Sequence, residues 1–254
     1  LHFLGVPDEG AEQLRQFAVA HTLNTWGRPT PEEQLKVAEN VGRFWQVAQK
    51  ILEDMMARPD GEGWMYETIR QHHLHPAIVT ESYLRSMMMA IMAAAHETTS
   101  NATANAFMTL LTHREAWEAI CENPALIPNA VEEILRFDGP VQQTVRVPLV
   151  DVEYGGVTVP ANTMVMTVLG SASHDPEVFE DPETLRLDRP NANRHLGFAA
   201  GVHYCLGSSL AKLEASVAIT SLIRRFPAVV LDGEPHWRDR LTIRGVDHLP
   251  VALR

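Results

Sequence analysis

Residues 80–113 read as a single helix of more than 30 residues, well above the about 10–14 usual in globular proteins, which commits the chain to a mainly helical body. The centre of this helix breaks the ordinary pattern. Met87-Met88-Met89-Ala90-Ile91-Met92-Ala93-Ala94-Ala95 passes straight into His96-Glu97-Thr98-Thr99-Ser100-Asn101. Burying that many polar groups is costly unless they have partners or a task. The polar residues run all the way round the helix instead of recurring on one side, which argues against a plain solvated face. A mid-helix threonine can bond back to the carbonyl four residues earlier and bend the ladder, opening a groove for a small ligand or a water. At about 100° per residue Met87, Ile91 and Ala94 share a stripe with Thr98 and would wall a pocket, whereas Met88 and Met89 read equally as core.

The flanking sequence is punctuated accordingly. A first helix is expected over 7–26, broken by Gly27-Arg28-Pro29. Thr30-Pro31-Glu32-Glu33 then supplies an N-cap, a proline at the first helical position and a capping-box glutamate. Leu35, Ala38, Val41, Trp45, Ala48 and Leu52 follow at helical spacing and predict the inward stripe of a long amphipathic helix. A shorter helix over 64–72 leads to His72, His73 and His75. Without a carboxylate at matching spacing, these suit a solvated loop better than a transition-metal site. Asn123-Pro124 separates two further helices, the second over 127–137 and carrying Glu133-Ile134-Leu135-Arg136, whose charged ends lie on one face and can pair. After Pro140 the pattern turns extended: strands over 144–147 and 164–169, a hairpin at Val152-Glu153-Tyr154-Gly155-Gly156-Val157-Thr158-Val159, and weak strands near 229 and 241–253. The expected fold is mainly α with a small β-sheet region.

Near the C-terminus stands Phe198-Ala199-Ala200-Gly201-Val202-His203-Tyr204-Cys205-Leu206-Gly207, a cysteine in a glycine-interrupted loop that opens a helix over 206–226. Helix N-termini present unpaired N–H groups and a partial positive charge, which favour a thiolate over a thiol, and thiolates bind metals. Gly201 and Gly207 let the backbone approach something bulky. A buried cysteine at the start of a packed helix is the alternative that the residues alone leave open.

The whole string resembles the haem-binding loop of cytochrome P450 monooxygenases: Phe, two or three residues, Gly, any residue, His or Arg, any residue, Cys, any residue, Gly. Ala199 stands where that family usually has glycine, and the fit continues through Ser208-Ser209-Leu210-Ala211-Lys212-Leu213-Glu214, with Lys212 where arginine is more common. Two more segments are similar in the family's order, Ala94-Ala95-His96-Glu97-Thr98-Thr99 to its oxygen-activating helix and Glu133 with Arg136 to its Glu-x-x-Arg helix. The resemblance covers essentially the whole chain and implies the C-terminal part of a P450 fold, with residues 1–254 the haem-binding portion of a single domain. Members are longer, and the portion lacking is the front one.

By that resemblance Cys205 is the axial ligand of the iron in haem b, iron protoporphyrin IX. Glu97 and Thr98 relay protons. His203 and Arg146 pair with haem propionates, a role suited to charge-assisted bonds. Phe198, Gly207 and Ala94 border the cofactor; Met87, Ile91 and Ala94, with Gln142 and Val145, border substrate. Glu133, Arg136 and Arg189 form a structural network that holds the loop of Cys205. The implied activity is insertion of one oxygen atom of O2 into a small hydrophobic molecule, by hydroxylation, epoxidation or oxidative coupling, with electrons from a ferredoxin-type donor and its NAD(P)H-dependent reductase.

Composition is compatible with this. The chain has 254 residues, 45% hydrophobic and 21% charged, an ordinary globular balance with enough length for a full core. A net charge of -11 argues against nucleic acid. Two distant cysteines, Cys121 and Cys205, suggest no disulfide framework, and no signal segment or membrane-length apolar run is visible, so a cytoplasmic location is expected. Two other classes of function remain: a shortened, haem-free relative acting as a scaffold, and hydrolysis with Cys205 as nucleophile and His203 as base, disfavoured because residues two apart flanking Tyr204 tend to point apart.

Overall fold

The computed structural model describes residues 2–6, 17, 29–238 and 242–253. The helix expected over 7–26 lies outside the described residues, Phe17 excepted. The chain forms two compact units, Leu1–Glu97 and Thr98–Arg254.

In the first unit, helix α1 (Pro31–Met56) starts on the expected capping box: Thr30 Oγ1 accepts from the Glu33 amide at 3.3 Å, and Glu33 Oε2 accepts from the Thr30 amide at 2.8 Å. Its inward face matches the predicted stripe only in the second half, at Ala48 and Leu52. Val37, Phe44, Ala48, Leu52 and Met55 are buried, while Leu35 is 78% and Trp45 43% exposed and Ala38 is also exposed. The sequence carries two apolar stripes, and periodicity alone does not say which of them meets a neighbour. Helix α2 (Trp64–Leu74) adds Met65 and Ile69 to this core, and the first turns of α3 (Glu81–Thr112) add Leu84, Met88 and Met92. Each large side chain fully buried in this way contributes about 1.5–3 kcal/mol. His72 Nδ1 lies 2.5 Å from the Val79 carbonyl oxygen, and His73 and His75 are exposed. Among the described residues no cluster of three or more His, Cys, Asp or Glu can hold a metal ion.

The second unit takes the rest of α3, then α4 (Arg114–Glu122), α5 (Ile127–Asp138), the four-residue α6 (Leu169–Ala172) and α7 (Ser208–Arg225). Its core joins Leu110, Trp117, Ile120, Ile134, Ile219 and Val229, and the Trp117 indole N–H donates to the Pro227 carbonyl at 2.7 Å. Among the described residues the β structure is four antiparallel pairs and a single bridge between Val141 and Ile243. β1 (Gln143–Arg146) pairs with β4 (Val165–Val168), and β2 (Val152–Tyr154) with β3 (Val157–Val159). β5 (Val230–Leu231) pairs with β8 (Val251–Ala252), and β6 (His236–Trp237) with β7 (Val246–His248). The β2–β3 turn has φ of +57° at Gly155 and +79° at Gly156, the positive pair that a type I′ hairpin requires.

The polar centre of α3 is more ordered than the sequence reading allowed. Glu97, Asn101, Asn105 and Thr109 recur every four residues and are all buried, so the buried polar groups keep to one side, while His96, Thr98 and Thr99 are half-buried and Ser100 is exposed around the rest of the helix. In the second unit Asn105 Nδ2 donates to the carbonyls of Asp138 (3.1 Å) and Arg244 (3.3 Å), binding α3 to the end of α5 and to the C-terminal segment. Among the described residues no helix is long and apolar enough to cross a membrane.

Candidate functional site

Within the first unit the expected pocket residues of α3 lie on its less buried side. Met87 and Ile91 are half-buried and Ala94 is exposed, whereas Met88, Met89 and Met92 are in the core. Glu97 is buried.

The second unit holds the cysteine loop. Cys205 is exposed. Its amide donates to the Phe198 carbonyl at 3.0 Å, closing residues 198–205 into a compact loop, and the 3₁₀ turn Gly201–His203 lies inside it. Gly207 is the N-cap of α7, so the sulfur stands just ahead of a helix N-terminus. Gly201 has φ +67° with open space where a side chain would begin, and the flanking Val202 and Leu206 are 99% and 81% exposed. An exposed thiol between exposed apolar side chains suits a flat, apolar, metal-bearing ligand: the sulfur can bind the metal and the side chains can cover the ring. His203 is exposed in the same turn, and Arg146 is exposed on β1 with Nη1 donating to the Val145 carbonyl at 2.8 Å. Both are free of buried commitments and able to meet carboxylates.

Ala199 adopts φ +58°, a left-handed conformation that crowds a Cβ. Ala199→Gly is expected to stabilise the chain by about 1 kcal/mol, read as a higher denaturation midpoint. A lower midpoint would mean that packing of the alanine methyl outweighs the strain.

Val145 is exposed on β1, but Gln142 turns elsewhere: its Nε2 donates to the Gly139 carbonyl at 2.7 Å and its side chain packs on Gly170. Gln142 thereby lines a cavity of about 490 Å³ at the end of α5, together with Asp138, His174 and Arg244. Burial pushes the Asp138 carboxyl up, against the opposing Arg244 bond at 2.7 Å.

Glu133, Arg136 and Arg189 come together with side chains no more than 1% exposed. The Glu133 carboxylate accepts from Arg136 Nε at 2.8 Å and Nη2 at 2.9 Å, from Arg189 Nε at 3.0 Å and from the Arg186 amide at 3.0 Å. The remaining guanidinium hydrogens go to the carbonyls of Ser173, Glu180, Asp181, Pro182 and Thr184. This network organises the segment 173–189; none of these bonds reaches 198–205.

Sequence reasoning missed a second cluster beside the first. Glu132 Oε1 accepts from Lys212 Nζ at 2.8 Å, and Glu132 Oε2 lies 3.2 Å from His195 Nε2. The His195 and Lys212 bonds hold the Glu132 carboxyl below the usual carboxylate range, against burial, and the Glu132 bond raises the Lys212 ammonium. The residues are 63 and 80 positions apart, so no local spacing announces the contact.

Comparison with known proteins gives a consistent set of matches. The Cytochrome P450 family model matches residues 19–242. The cytochrome P450 monooxygenase PikC of Streptomyces venezuelae is 37% identical over 255 residues, covering 99% of this chain and 59% of that protein. The crystal structure of the Acinetobacter radioresistens CYP116B5 heme domain is 45% identical with a TM-score of 0.95, covering 100% of this chain and 62% of that one. Full-length CYP116B46 from Tepidiphilus thermophilus is 48% identical with a TM-score of 0.94, over 100% of this chain and 34% of its own. The chain spans less than two thirds of each of these proteins.

Proposed function

The chain belongs to the cytochrome P450 family, and from that premise we propose that residues 1–254 are the haem-binding portion of a single P450 domain whose whole is a bacterial monooxygenase. The observation that carries this reading is Cys205, exposed at the mouth of α7 between exposed apolar neighbours. Cys205 would hold haem b through its sulfur, with Phe198, Gly207 and Ala94 beside the ring and His203 and Arg146 on its propionates. Bound haem supplies the activation of O2, so that one oxygen atom enters the substrate and the other leaves as water with two electrons and two protons.

The chain's own residues supply protons and shape. Thr98 holds a proton at Oγ1 for delivery, and the carboxyl group of the buried Glu97, next to it in sequence, replenishes that proton when protonated and takes up another from solvent. Met87, Ile91, Ala94 and Val145 offer apolar surface to a small hydrophobic substrate, whose burial favours binding and keeps water from the reacting atoms. Gln142, tied to the Gly139 carbonyl, faces the cavity at the end of α5 instead. Electrons come from a ferredoxin-type protein and its NAD(P)H-dependent reductase, in the cytoplasm.

The test is haem content of the purified chain and the carbon monoxide difference spectrum of its reduced form. A thiolate-type Soret band is expected; colourless, folded protein would overturn the assignment and favour a scaffold. Thr98→Ala is expected to keep haem but to lose most product per electron pair consumed, measured against NAD(P)H oxidation. Full coupling in that variant would remove Thr98 from the relay.

A further inference from the structure

The loop bearing Cys205 has a clamp of its own, distinct from the Glu133 network. Glu132 and Glu133 are consecutive on α5, about 100° apart around the helix. Glu133 faces the segment 173–189, while Glu132 faces the stretch that runs into the cysteine loop. Its two carboxylate oxygens each take one partner, His195 from that stretch and Lys212 from α7. Cys205 lies between these two anchors in sequence.

The chain from His195 to the cysteine is short and held by local hydrogen bonds. The Gly197 amide donates to His195 Nδ1 at 3.0 Å. Nδ1 therefore carries no proton, and the ring hydrogen sits on Nε2, where it donates to Glu132. A doubly protonated ring, or the other tautomer, loses the Gly197 bond. The approach is close at Gly197, where a Cβ would meet His195 Nδ1 at 3.0 Å and the ring would have to give way. The next residue, Phe198, has its ring 5.6 Å from the His195 ring and 5.9 Å from Lys212 Nζ, and its carbonyl receives the Cys205 amide. With only 2% of its side-chain surface exposed, His195 has little freedom to turn.

We infer that His195, fixed by Glu132 and Lys212, is a positioning residue that sets the place of the Phe198 carbonyl and through it the aim of the Cys205 sulfur. The inference rests on the reading of Cys205 as haem ligand for its purpose, but not for its geometry. The clamp acts on the loop whether or not haem is bound, and on the strength of the iron–sulfur bond when it is.

Two measurements on the full chain test it. In the first, made without haem, nitrogen-15 spectra of the imidazole are expected to show the proton on Nε2, and amide exchange at Gly197 and Cys205 to quicken about tenfold in His195→Ala, the equivalent of one hydrogen bond lost from the clamp. In the second, haem titration is expected to give about tenfold weaker binding for His195→Ala and Glu132→Gln, with part of the reduced carbon monoxide complex moving from the thiolate to the thiol type of band. Lys212→Arg should restore parental values where Lys212→Met does not, and helix content should hold throughout. A proton on Nδ1, or unchanged Cys205 exchange in folded His195→Ala, overturns the clamp. A parent chain that binds no haem overturns the ligand assignment and leaves the exchange measurement to decide the clamp.

Discussion

Glu133→Gln is expected to remove about 3–5 kcal/mol of stability, a large part of the about 5–15 kcal/mol a domain of this kind possesses. The carboxylate is the shared acceptor of two guanidinium groups that are themselves essentially inaccessible to water. Replacing one oxygen with an amide removes the only negative charge of the trio and leaves both guanidinium charges uncompensated where water cannot answer them. It also turns an N–H toward an N–H. Thermal and denaturant unfolding of the variant are the measurements, and Glu133→Asp, which keeps the charge but shortens the reach, should fall between the two. A loss below about 1 kcal/mol would mean that the carbonyls of 173–184 alone satisfy the arginines.

Cys205→Ser is expected to abolish the thiolate-type band completely while leaving the far-ultraviolet helix signal unchanged. The side chain is exposed and makes no core contact, so the substitution should alter stability by no more than about 0.5 kcal/mol. What it removes is the soft, electron-rich ligand, for which a hydroxyl is no substitute. A variant that kept the parental spectrum would assign the iron ligand to another residue. The two substitutions therefore separate the frame from the chemistry: one should weaken the fold, the other should only silence its spectrum.

Much of the local structure was legible because its causes are local. The Thr30 and Glu33 cap, the Gly155-Gly156 hairpin and the ends of α3 are each fixed by residues within a few positions, and each formed close to where the sequence put it. Orientation was harder to read. For α1 the stripe through Leu35, Ala38 and Trp45 competed with the one through Val37, Phe44 and Met55, and only a neighbour could decide between them. In α3 the fourfold spacing from Glu97 to Thr109 was in the sequence, but threonines and serine between its members blurred it into a continuous polar belt. The cysteine loop could be recognised from its glycines and cysteine, whereas its support by Glu132, His195 and Lys212 could not, since tertiary contact alone joins them. The small β-sheet region expected after Pro140 formed, among the described residues, as four short antiparallel pairs, a division that strands of two to four residues do not announce in their sequence pattern.

Two neighbouring acids on α5 address two different loops, so the winding of that helix acts as an index. Inserting or deleting one residue upstream of Glu132 would rotate both carboxylates by the same angle and deliver each to the wrong recipient. The length of α5 is therefore as consequential as its side chains, and tolerance to insertions should be low there.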